Sequence, residues 1–264
     1  MVTNRVIGIM PARYGSTRFP AKMLAVIAGK TLLQHSYENA QKFEILADLI
    51  IATDDQRIFD HVLSFGGKVV MTSPEHPSGT DRLAEVVSLF PDYKNASVIV
   101  NIQGDEPFLS VPAINGIVHE LQNDPEAVMA TAASPIRCPK VAMDSSVVKC
   151  VFDNNHNALY FSRALIPASH NLQYCPETTY YQHYGVYAFR PDFLMRYAEL
   201  PRTALQLRED LEQLKILEHG YRIKVAVIQE HDIPGVNLPE DVAKVEPFLC
   251  QRNISSSLAV SAHP

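Results

Sequence analysis

VIGIMPARYGSTRFPAK, residues 6–22, joins an apolar run to a polar loop that carries three cations. Val6 to Met10 is apolar without interruption, as expected for a strand that is buried on both faces of a sheet. The loop from Pro11 to Lys22 contains Gly15 and Ser16, which allow tight turns and supply N–H and hydroxyl donors. The stretch therefore predicts a buried strand whose carboxyl end opens into a loop suited to polyphosphate. A solvated basic loop is the alternative.

Outward from this stretch, strand and helix signals alternate through the first half of the chain. T-L-L-Q at 31–34 predicts a helix start in which Gln34 reaches back to complete a capping box. Asp54 is the expected N-cap of the next helix, which ends at Gly66. Further strands are predicted over 48–53, 68–71 and 97–102, with helices over about 79–90 and after Ser110. This order predicts a parallel sheet covered by helices on both faces.

The second half of the chain is richer in strands. Strand-like pieces occupy 147–152, 158–161, 184–189 and 222–229, and helical signals occupy 191–199 and 203–219 and begin again at Pro239. D-N-N-H-N at 153–157 is a turn between the first two strands. We predict a single α/β domain over residues 1–252, with a strand-rich middle segment at about 140–190, followed by a frayed tail at 253–264.

Composition narrows the classes of function. The 264 residues are 47% hydrophobic, which supports a packed core, and the formal net charge of −6 argues against a nucleic-acid partner. The four cysteines form no C-x-x-C pair, which favours free thiols in a reducing compartment. No apolar run approaches the roughly 20 residues that a membrane span needs, and the N-terminus lacks a signal-peptide pattern. We expect a cytoplasmic protein without stable membrane association.

Three polar loops follow predicted strands, over 11–22, 72–82 and 103–107. In α/β sheets, ligands bind outside the carboxyl ends of the strands, near the point where the strand order reverses. The pair Asp105 and Glu106 follows a buried strand, and carboxylate oxygens are what Mg²⁺ prefers. Ordinary turn chemistry explains the same residues.

Other candidate residues allow both a functional and a structural interpretation. The loop from Ser78 to Arg82 opens a helix, so it either meets an anion or base edge or simply caps the helix. His183 and Tyr187 share one face of a predicted strand, either in a sugar pocket or as a half-buried pair. Asn237 is explained by helix capping alone.

Eight motifs occur in order along the chain. They are P-A-R-Y-G-S-T-R-F-P-x-K at 11–22, A-T-D-D at 52–55, S-G-T-D-R at 78–82, N-I-Q-G-D-E-P at 101–107, A-L-Y-F-S-R at 158–163, H-Y-G-V-Y-A-F-R at 183–190, D-L-E-Q-L-K at 210–215 and P-E-D-V at 239–242. Together they resemble the 3-deoxy-manno-octulosonate cytidylyltransferases. The resemblance spans about residues 5 to 245.

This resemblance implies a Rossmann-like α/β fold, with a homodimer built through the middle segment. It implies that CTP and 3-deoxy-D-manno-octulosonate (Kdo) give CMP-Kdo and pyrophosphate for lipopolysaccharide synthesis, with Mg²⁺ as cofactor. By the family pattern, the catalytic residues are Arg13, Lys22 and Asp105; the nucleotide is held by Arg13, Ser16, Lys22, Ser78, Thr80 and Arg82; the sugar acid meets Arg18, Gln103, His183, Tyr187, Glu212 and Gln213; and the metal ligands are Asp105 and the residue at Asn237.

Three positions depart from the family pattern. The family's P-G-K-P reads P-A-K-M at 20–23, a metal-binding carboxylate is replaced by Asn237, and a glutamate is replaced by Gln206. An asparagine still offers a carbonyl oxygen, although it brings no charge, so Mg²⁺ binding to the free protein is expected to be weaker. The alternatives are a cytidylyltransferase for another acidic sugar, a glycosyltransferase that uses a nucleotide sugar, and a nucleotide-binding paralogue with little activity.

Overall fold

A computed structural model describes residues 4–15, 19–171, 173–229, 235–236 and 238–260, with side chains described up to residue 251. Within these residues, eleven strands form a nine-stranded sheet and a small hairpin. The strands are β1 (Val6–Ala12), β2 (Val26–Ile27), β3 (Lys30–Thr31), β4 (Leu46–Thr53), β5 (Val69–Met71), β6 (Val98–Asn101), β7 (Ala127–Ile136), β8 (Lys149–Phe152), β9 (Ala158–Ser162), β10 (Tyr180–Phe189) and β11 (Arg222–Val227).

Ten α-helices connect or follow these strands in the described part of the chain. They are α1 (Leu32–Ala40), α2 (Gln56–Ser64), α3 (Gly79–Leu89), α4 (Pro91–Lys94), α5 (Val111–Asn123), α6 (Pro139–Met143), α7 (Pro191–Glu199), α8 (Ala204–Glu209), α9 (Gln213–Glu218) and α10 (Asp241–Val260). A short 3-10 helix also covers Lys22–Leu24.

The large sheet is mostly parallel, as the alternating sequence pattern predicts. Its main order is β11-β7-β10-β6-β1-β4-β5, and the pairs β1–β4, β1–β6, β4–β5 and β7–β11 are parallel. Strand β10 runs antiparallel between β6 and β7. Because β1 has β4 on one side and β6 on the other, the strand order reverses at β1, which makes its carboxyl end the expected ligand position.

Helices cover both faces of the sheet, and alternate residues of β1 fill the two cores. Met10 packs with α1, α2 and α5, whereas Ile9 packs with α3, α7 and α9. The side chains of both residues are fully buried. This alternation is the physical reason that an uninterrupted apolar run forms the strand, since both of its faces are covered.

The strand-rich middle segment forms a hairpin beside the main sheet. Strands β8 and β9 pair with each other, and β8 also pairs with β10. The predicted turn at 153–157 is confirmed, since the Asp153 N–H bonds the Asn157 carbonyl at 2.9 Å. Strand β7 and helix α6 were not predicted. The sequence of β7, AVMATAASPI, consists largely of small residues and has few strongly β-forming side chains.

Three local expectations are wrong. The helix predicted over 203–219 is two helices, because Asp210 adopts a left-handed backbone conformation with φ 54° between α8 and α9. Asp55 is the N-cap of α2 in place of Asp54, whose carboxylate pairs with Arg82 instead. Thr31 caps α1 as expected, but the Gln34 side chain donates to Glu38 rather than reaching back.

The C-terminal helix α10 packs beside the first polar loop. Val245 and Leu249 of this helix form a small core with Ile27, Leu32 and Val236. The helical backbone continues to Val260, into the segment predicted as a frayed tail. Among the described residues, none of the helices is both long and apolar enough to span a membrane.

Candidate active site

The three polar loops singled out in the sequence follow β1, β5 and β6, and two of them flank the strand-order reversal. The loop after β1 carries Arg13 and Lys22, and the loop after β6 carries Gln103 and Asp105. Their convergence follows from topology, because the carboxyl ends of neighbouring parallel strands meet at one edge of the sheet.

Lys22 and Asp105 are in direct contact at this edge. The Lys22 ammonium donates to the Asp105 carboxylate and, at 3.0 Å, to the backbone carbonyl of Val236. Lys22 is 8% exposed, which is unusual for a lysine and requires these partners. The ion pair joins two loops whose residues are 83 positions apart in sequence. Through Val236, Lys22 also contacts the segment that precedes α10.

The backbone that presents Asp105 is held on several sides. The Ser36 hydroxyl donates to the Gly104 carbonyl at 2.8 Å, and the Val236 N–H donates to the Asp105 carbonyl at 3.2 Å. A Cβ at Gly104 would lie 3.1 Å from the Met23 sulfur, so glycine permits this close approach. Gln103 is half-buried at the same strand end.

The Lys22 side of the site has a strained residue. Ala21 has φ 55°, in the left-handed region that favours glycine, and its N–H donates to the Tyr14 carbonyl at 3.2 Å. The glycine that the family pattern has at this position would adopt this conformation without the Cβ penalty.

Arg13 lies on the opposite side of the same loop, toward the start of α3. Its guanidinium donates to the His76 carbonyl at 3.1 Å. Burial lowers the pKa of Arg13, as does the nearby Arg82, while Asp54, Asp81 and Glu212 raise it. The arginine is therefore a half-buried cation among three carboxylates, and it remains charged at neutral pH.

The other predicted nucleotide residues cap and brace α3. Ser78 is the N-cap and accepts the Asp81 N–H at 3.2 Å. Arg82 is fully buried and donates to Thr72 and, at 2.7 Å, to Asp54. Thr80, also fully buried, donates to Glu212 at 2.9 Å. The contacts of Arg82 join the start of α3 to the residues that follow β4 and β5. Arg82 therefore holds the loop before α3 in place.

A cleft of about 670 Å³ opens beside the Asp105 loop, between the middle segment and the start of α10. His183 and Tyr187 both line it, and their ring centroids lie 5.7 Å apart. The expectation that they share a face is confirmed, although a bulge in β10 between Tyr184 and Tyr187 inserts two residues between them. An insertion of two preserves the side-chain alternation.

Thr131 of β7 orients His183 from within the sheet. Its hydroxyl is 2.9 Å from the His183 Nε2, and it also lies 2.9 Å from the carbonyl of Val186 in the bulge. Burial lowers the pKa of His183 to about 3, so the ring is neutral at physiological pH. A neutral imidazole can hydrogen-bond a sugar hydroxyl without a charge of its own.

Glu212 and Gln213 approach the site from the start of α9. Tyr187 donates to the Gln213 carbonyl oxygen at 3.3 Å, and Gln213 is 1% exposed. Burial raises the pKa of the Glu212 carboxyl, and the nearby Asp81 adds to this, while the bond from Thr80 opposes it. From the sequence, a solvated face and a polar pocket wall are equally good explanations of these two residues. With the helix broken at Asp210, Gln213 is buried and Glu212 is partly buried at the start of α9.

Two buried amides at the site lack partners among the described residues. Both side-chain polar atoms of Asn101 and the Nε2 of Gln213 are buried without a hydrogen bond. Asn101 ends β6, opposite Ile9 and Tyr187 in the sheet register. Each such group costs about 1–3 kcal/mol when left unpaired, so these amides are suited to polar atoms of a ligand.

Arg163 lines the cleft, although it was not among the residues predicted for the site. It lines the cleft with His183 and Gln182, and its Nε donates to the Glu209 carbonyl at 2.9 Å. Its position after β9 in A-L-Y-F-S-R was the only available signal. Ser16, Arg18 and Asn237 lie outside the described residues.

The donor set at Asp105 fits a hard cation that shares its ligands with a substrate. The Asp105 carboxylate and the Val236 carbonyl already surround one cationic group, the Lys22 ammonium. Within the described residues, no group of three or more His, Cys, Asp or Glu side chains could hold a metal. Mg²⁺ usually takes only one or two protein carboxylates and completes its shell with water and phosphate oxygens.

Comparisons with known proteins agree on one family. A family model described as cytidylyltransferase matches residues 7–224. The 3-deoxy-manno-octulosonate cytidylyltransferase of Protochlamydia amoebophila is 57% identical, over 96% of this chain and 97% of its own length. The protein of that name from Chlamydia trachomatis serovar A is 50% identical over 94% and 95%. A CMP:2-keto-3-deoxy-manno-octonic acid synthetase solved with CTP superimposes with a TM-score of 0.86 and 37% identity, over 94% of this chain and 99% of that one.

Proposed function

Since the chain belongs to the 3-deoxy-manno-octulosonate cytidylyltransferase family, we propose that it transfers CMP from CTP to Kdo and releases pyrophosphate. The observation that carries the proposal is the convergence of Lys22 and Asp105 at the strand-order reversal, beside a cleft that contains His183 and Tyr187. A triphosphate and a sugar acid are both anionic, and the site supplies cations toward each.

The nucleotide side of the reaction belongs to Arg13 and Lys22. The anomeric hydroxyl of Kdo attacks the α-phosphorus and loses its proton to water, a new P–O bond forms, and pyrophosphate leaves as the bond to it breaks. Negative charge builds on the leaving group, and preorganised cations stabilise it most when they need no reorganisation. Arg13 is preorganised in this sense, because its guanidinium is fixed by the His76 carbonyl, whereas Lys22 has to exchange the Asp105 carboxylate for a phosphate oxygen.

The sugar side belongs to the cleft. His183 and Tyr187 offer a neutral imidazole and a phenol to sugar hydroxyls, and Gln213 has a free amide N–H next to them. Arg163 gives the cleft wall a cation for the sugar carboxylate. Holding both substrates in one geometry supplies much of the rate enhancement in such transfers.

Mg²⁺ is proposed as the cofactor, with Asp105 as its protein ligand and Asn237 as a candidate second ligand that lies outside the described residues. When bound, the ion would neutralise charge on the triphosphate and polarise the phosphoryl group. The backbone that carries Asp105 is fixed for this role. The Val236 N–H donates to the Asp105 carbonyl, and the Ser36 hydroxyl donates to the carbonyl of the preceding Gly104.

We also propose a cytoplasmic homodimer assembled through the middle segment. Within the described sheet, β9 pairs only with β8 and is therefore an edge strand, and Leu159 on this strand is 61% exposed. Open strand edges and large exposed apolar side chains are features that a partner subunit covers.

The direct test is pyrophosphate release from purified protein with CTP, Kdo and Mg²⁺. Turnover is expected with CTP and not with UTP or ATP, and with Kdo above other sugar acids. Asp105→Ala should remove most turnover while the circular dichroism spectrum stays unchanged, and Asp92→Ala, a surface carboxylate far from the cleft, is the matched control. No release above background beside an active control enzyme would reject the proposal.

A variant of Arg163 tests whether the sugar substrate carries a carboxylate, as Kdo does, or is uncharged. Arg163→Met should raise the KM for Kdo by about 10-fold or more, because a charge-assisted contact is lost, and should leave the KM for CTP unchanged. An unchanged KM for Kdo would remove Arg163 from the site and favour a substrate without a carboxylate in this cleft.

A further inference from the structure

Lys149, the first residue of β8, is a buried lysine that the reaction proposed above does not use. Its side chain is fully buried, between Ser162 of β9 and Gln182 of β10 in the sheet register. A lysine is almost never buried to this degree without partners that compensate the lost hydration.

Backbone carbonyls use all the donors of this ammonium. The Lys149 Nζ donates to the carbonyls of Asp144, Val147 and Arg163 at 2.8, 2.6 and 2.7 Å. A charged lysine has three N–H donors, so none is left for a ligand. Burial lowers the pKa of Lys149, while nearby Asp144 favours the charged form. Lys149 is therefore a structural cation at this position and not a substrate contact.

The three carbonyls belong to two segments that reach the sugar cleft, the 144–148 turn and the end of β9. Ser146, Val147 and Val148 of the first segment line the cleft, and so does Arg163 of the second. The Val148 carbonyl in turn accepts the His183 N–H at 2.8 Å. One buried ammonium thus sets the separation between the turn that supports His183 and the end of β9 that carries Arg163.

Glu209 of α8 continues this framework on the Arg163 side. Its carboxylate accepts from the Ser162 hydroxyl at 2.7 Å and from the Arg163 N–H at 3.0 Å. Arg163 is consequently held at its carbonyl by Lys149 and at its N–H by Glu209. These two bonds fix the backbone of Arg163, and the bond from its Nε to the Glu209 carbonyl fixes its guanidinium.

We propose that Lys149 is a positioning residue for the sugar-acid subsite: it holds Arg163 and the 144–148 turn, and through that turn His183, in the geometry that binds the sugar. This inference rests on the proposed function, because it concerns affinity for the same substrate. Loss of the ammonium leaves three carbonyls unpaired, so the turn and the end of β9 must shift to find other partners.

The test compares Lys149→Met with Lys224→Met in steady-state kinetics. Lys224 is also buried, and its ammonium donates to the Asn155 carbonyl in the turn at the far end of the same β8–β9 hairpin. If the hairpin mattered only for folding, the two variants would behave alike. We expect Lys149→Met to raise the KM for Kdo by about 10-fold or more with the KM for CTP within about twofold, and Lys224→Met to change neither.

Equal effects of the two variants, or an unchanged KM for Kdo in Lys149→Met, overturn the inference. If Lys149→Met does not fold by circular dichroism, Lys149→Arg decides, since it keeps the charge but replaces converging donors by a planar fork. A KM for Kdo that rises several-fold in Lys149→Arg supports the inference, and an unchanged one overturns it. Absence of turnover in the unmodified protein overturns the proposed function, and the inference about Lys149 with it. If the unmodified protein turns over, an unchanged KM for Kdo in the Lys149 variants overturns the inference alone.

Discussion

The Lys22 ammonium sits on the Asp105 carboxylate, with the Val236 carbonyl 3.0 Å from the same nitrogen. Two hard oxygen donors thus enclose a cation that the protein supplies itself. Because Lys22 is also a proposed triphosphate ligand, the geometry couples nucleotide binding to metal binding: the lysine occupies Oδ2 of Asp105 and so competes with a metal ion for that carboxylate.

Lys22→Met should therefore strengthen metal binding to the nucleotide-free protein. Removal of the competing ammonium leaves Asp105 unpaired, so we expect the Kd for Mn²⁺ to fall by about 3- to 10-fold, while CTP binding weakens. Titration of free Mn²⁺ by electron paramagnetic resonance measures the first effect, and calorimetry with CTP the second. The double variant Lys22→Met with Asp105→Asn should lose the gain. Equal Mn²⁺ affinity in Lys22→Met and the unmodified protein would show that Lys22 does not compete.

His183 should make the protein sensitive to acid. Its folded pKa of about 3 lies below the ordinary value of 6.5, so the unfolded state binds a proton first as the pH falls. Stability is fully present above about pH 6.5 and is lost as the pH falls toward the folded pKa. Between pH 7 and pH 4.5 this group alone removes about 2–3 kcal/mol.

His183→Gln keeps a hydrogen-bonding group for Thr131 but does not titrate. We expect its free energy of unfolding in urea to fall less between pH 7 and pH 4.5 than that of the unmodified protein. His119→Gln, at an exposed histidine, is the control and should not alter the pH dependence. Parallel pH profiles for all three proteins would mean that His183 is not held neutral.

Asn101→Leu should stabilise the free protein and impair its activity. The buried amide of Asn101 has no partner among the described residues, and leucine has nearly the same shape without polar atoms. We expect a gain of about 1–2 kcal/mol, or a rise in Tm of about 2–4 °C. Under the proposed function this amide is available to a polar atom of a bound substrate, so turnover should fall.

Differential scanning calorimetry and pyrophosphate release measure the two effects. Asn115→Leu, at an exposed position on α5, should give neither effect. A lower Tm for Asn101→Leu would indicate that the amide is already satisfied in the free protein.

Glu212→Gln should raise the Tm at neutral pH and not in acid. Burial and Asp81 raise the folded pKa of Glu212 above that of the unfolded chain, so the folded state holds the proton more tightly. The resulting stability is present below the unfolded pKa and is lost as the pH rises through the folded one. At pH 7.5, well above the ordinary pKa of a glutamate, this ionisable group therefore lowers the free energy of unfolding and glutamine does not, and at pH 4 the difference should vanish.

Thermal unfolding of Glu212→Gln at both pH values measures this, with exposed Glu44→Gln as the control. A gain of the same size at both pH values would point to packing rather than to ionisation. Turnover should fall in Glu212→Gln if the carboxylate meets the sugar acid.

Local patterns predicted the strands of the first half well because those strands are buried on both faces. The apolar runs at Val6–Met10 and 97–102 are typical of buried strands, and they form β1 and β6 in the middle of the sheet. The capping residues Thr31, Ser78 and Ser110 were also recognisable, since each bonds an N–H within three residues. The break at Asp210 was not predicted, because nothing in A-L-Q-L-R-E-D-L-E-Q-L-K opposes a continuous helix.

Short-range chemistry in the chain was sufficient to establish the alternating α/β order, the polar loops at strand ends and, through ordered motifs, the family. Only the tertiary structure decided which groups meet: that Lys22 contacts Asp105, that Arg82 is buried against Asp54 and Thr72, and that Lys149 joins the 144–148 turn to the end of β9. Hydrophobic periodicity and helix capping depend on residues a few positions apart, so the sequence itself reveals them. Contacts between residues 14 to 83 positions apart depend on strand order and loop closure, which no local pattern records.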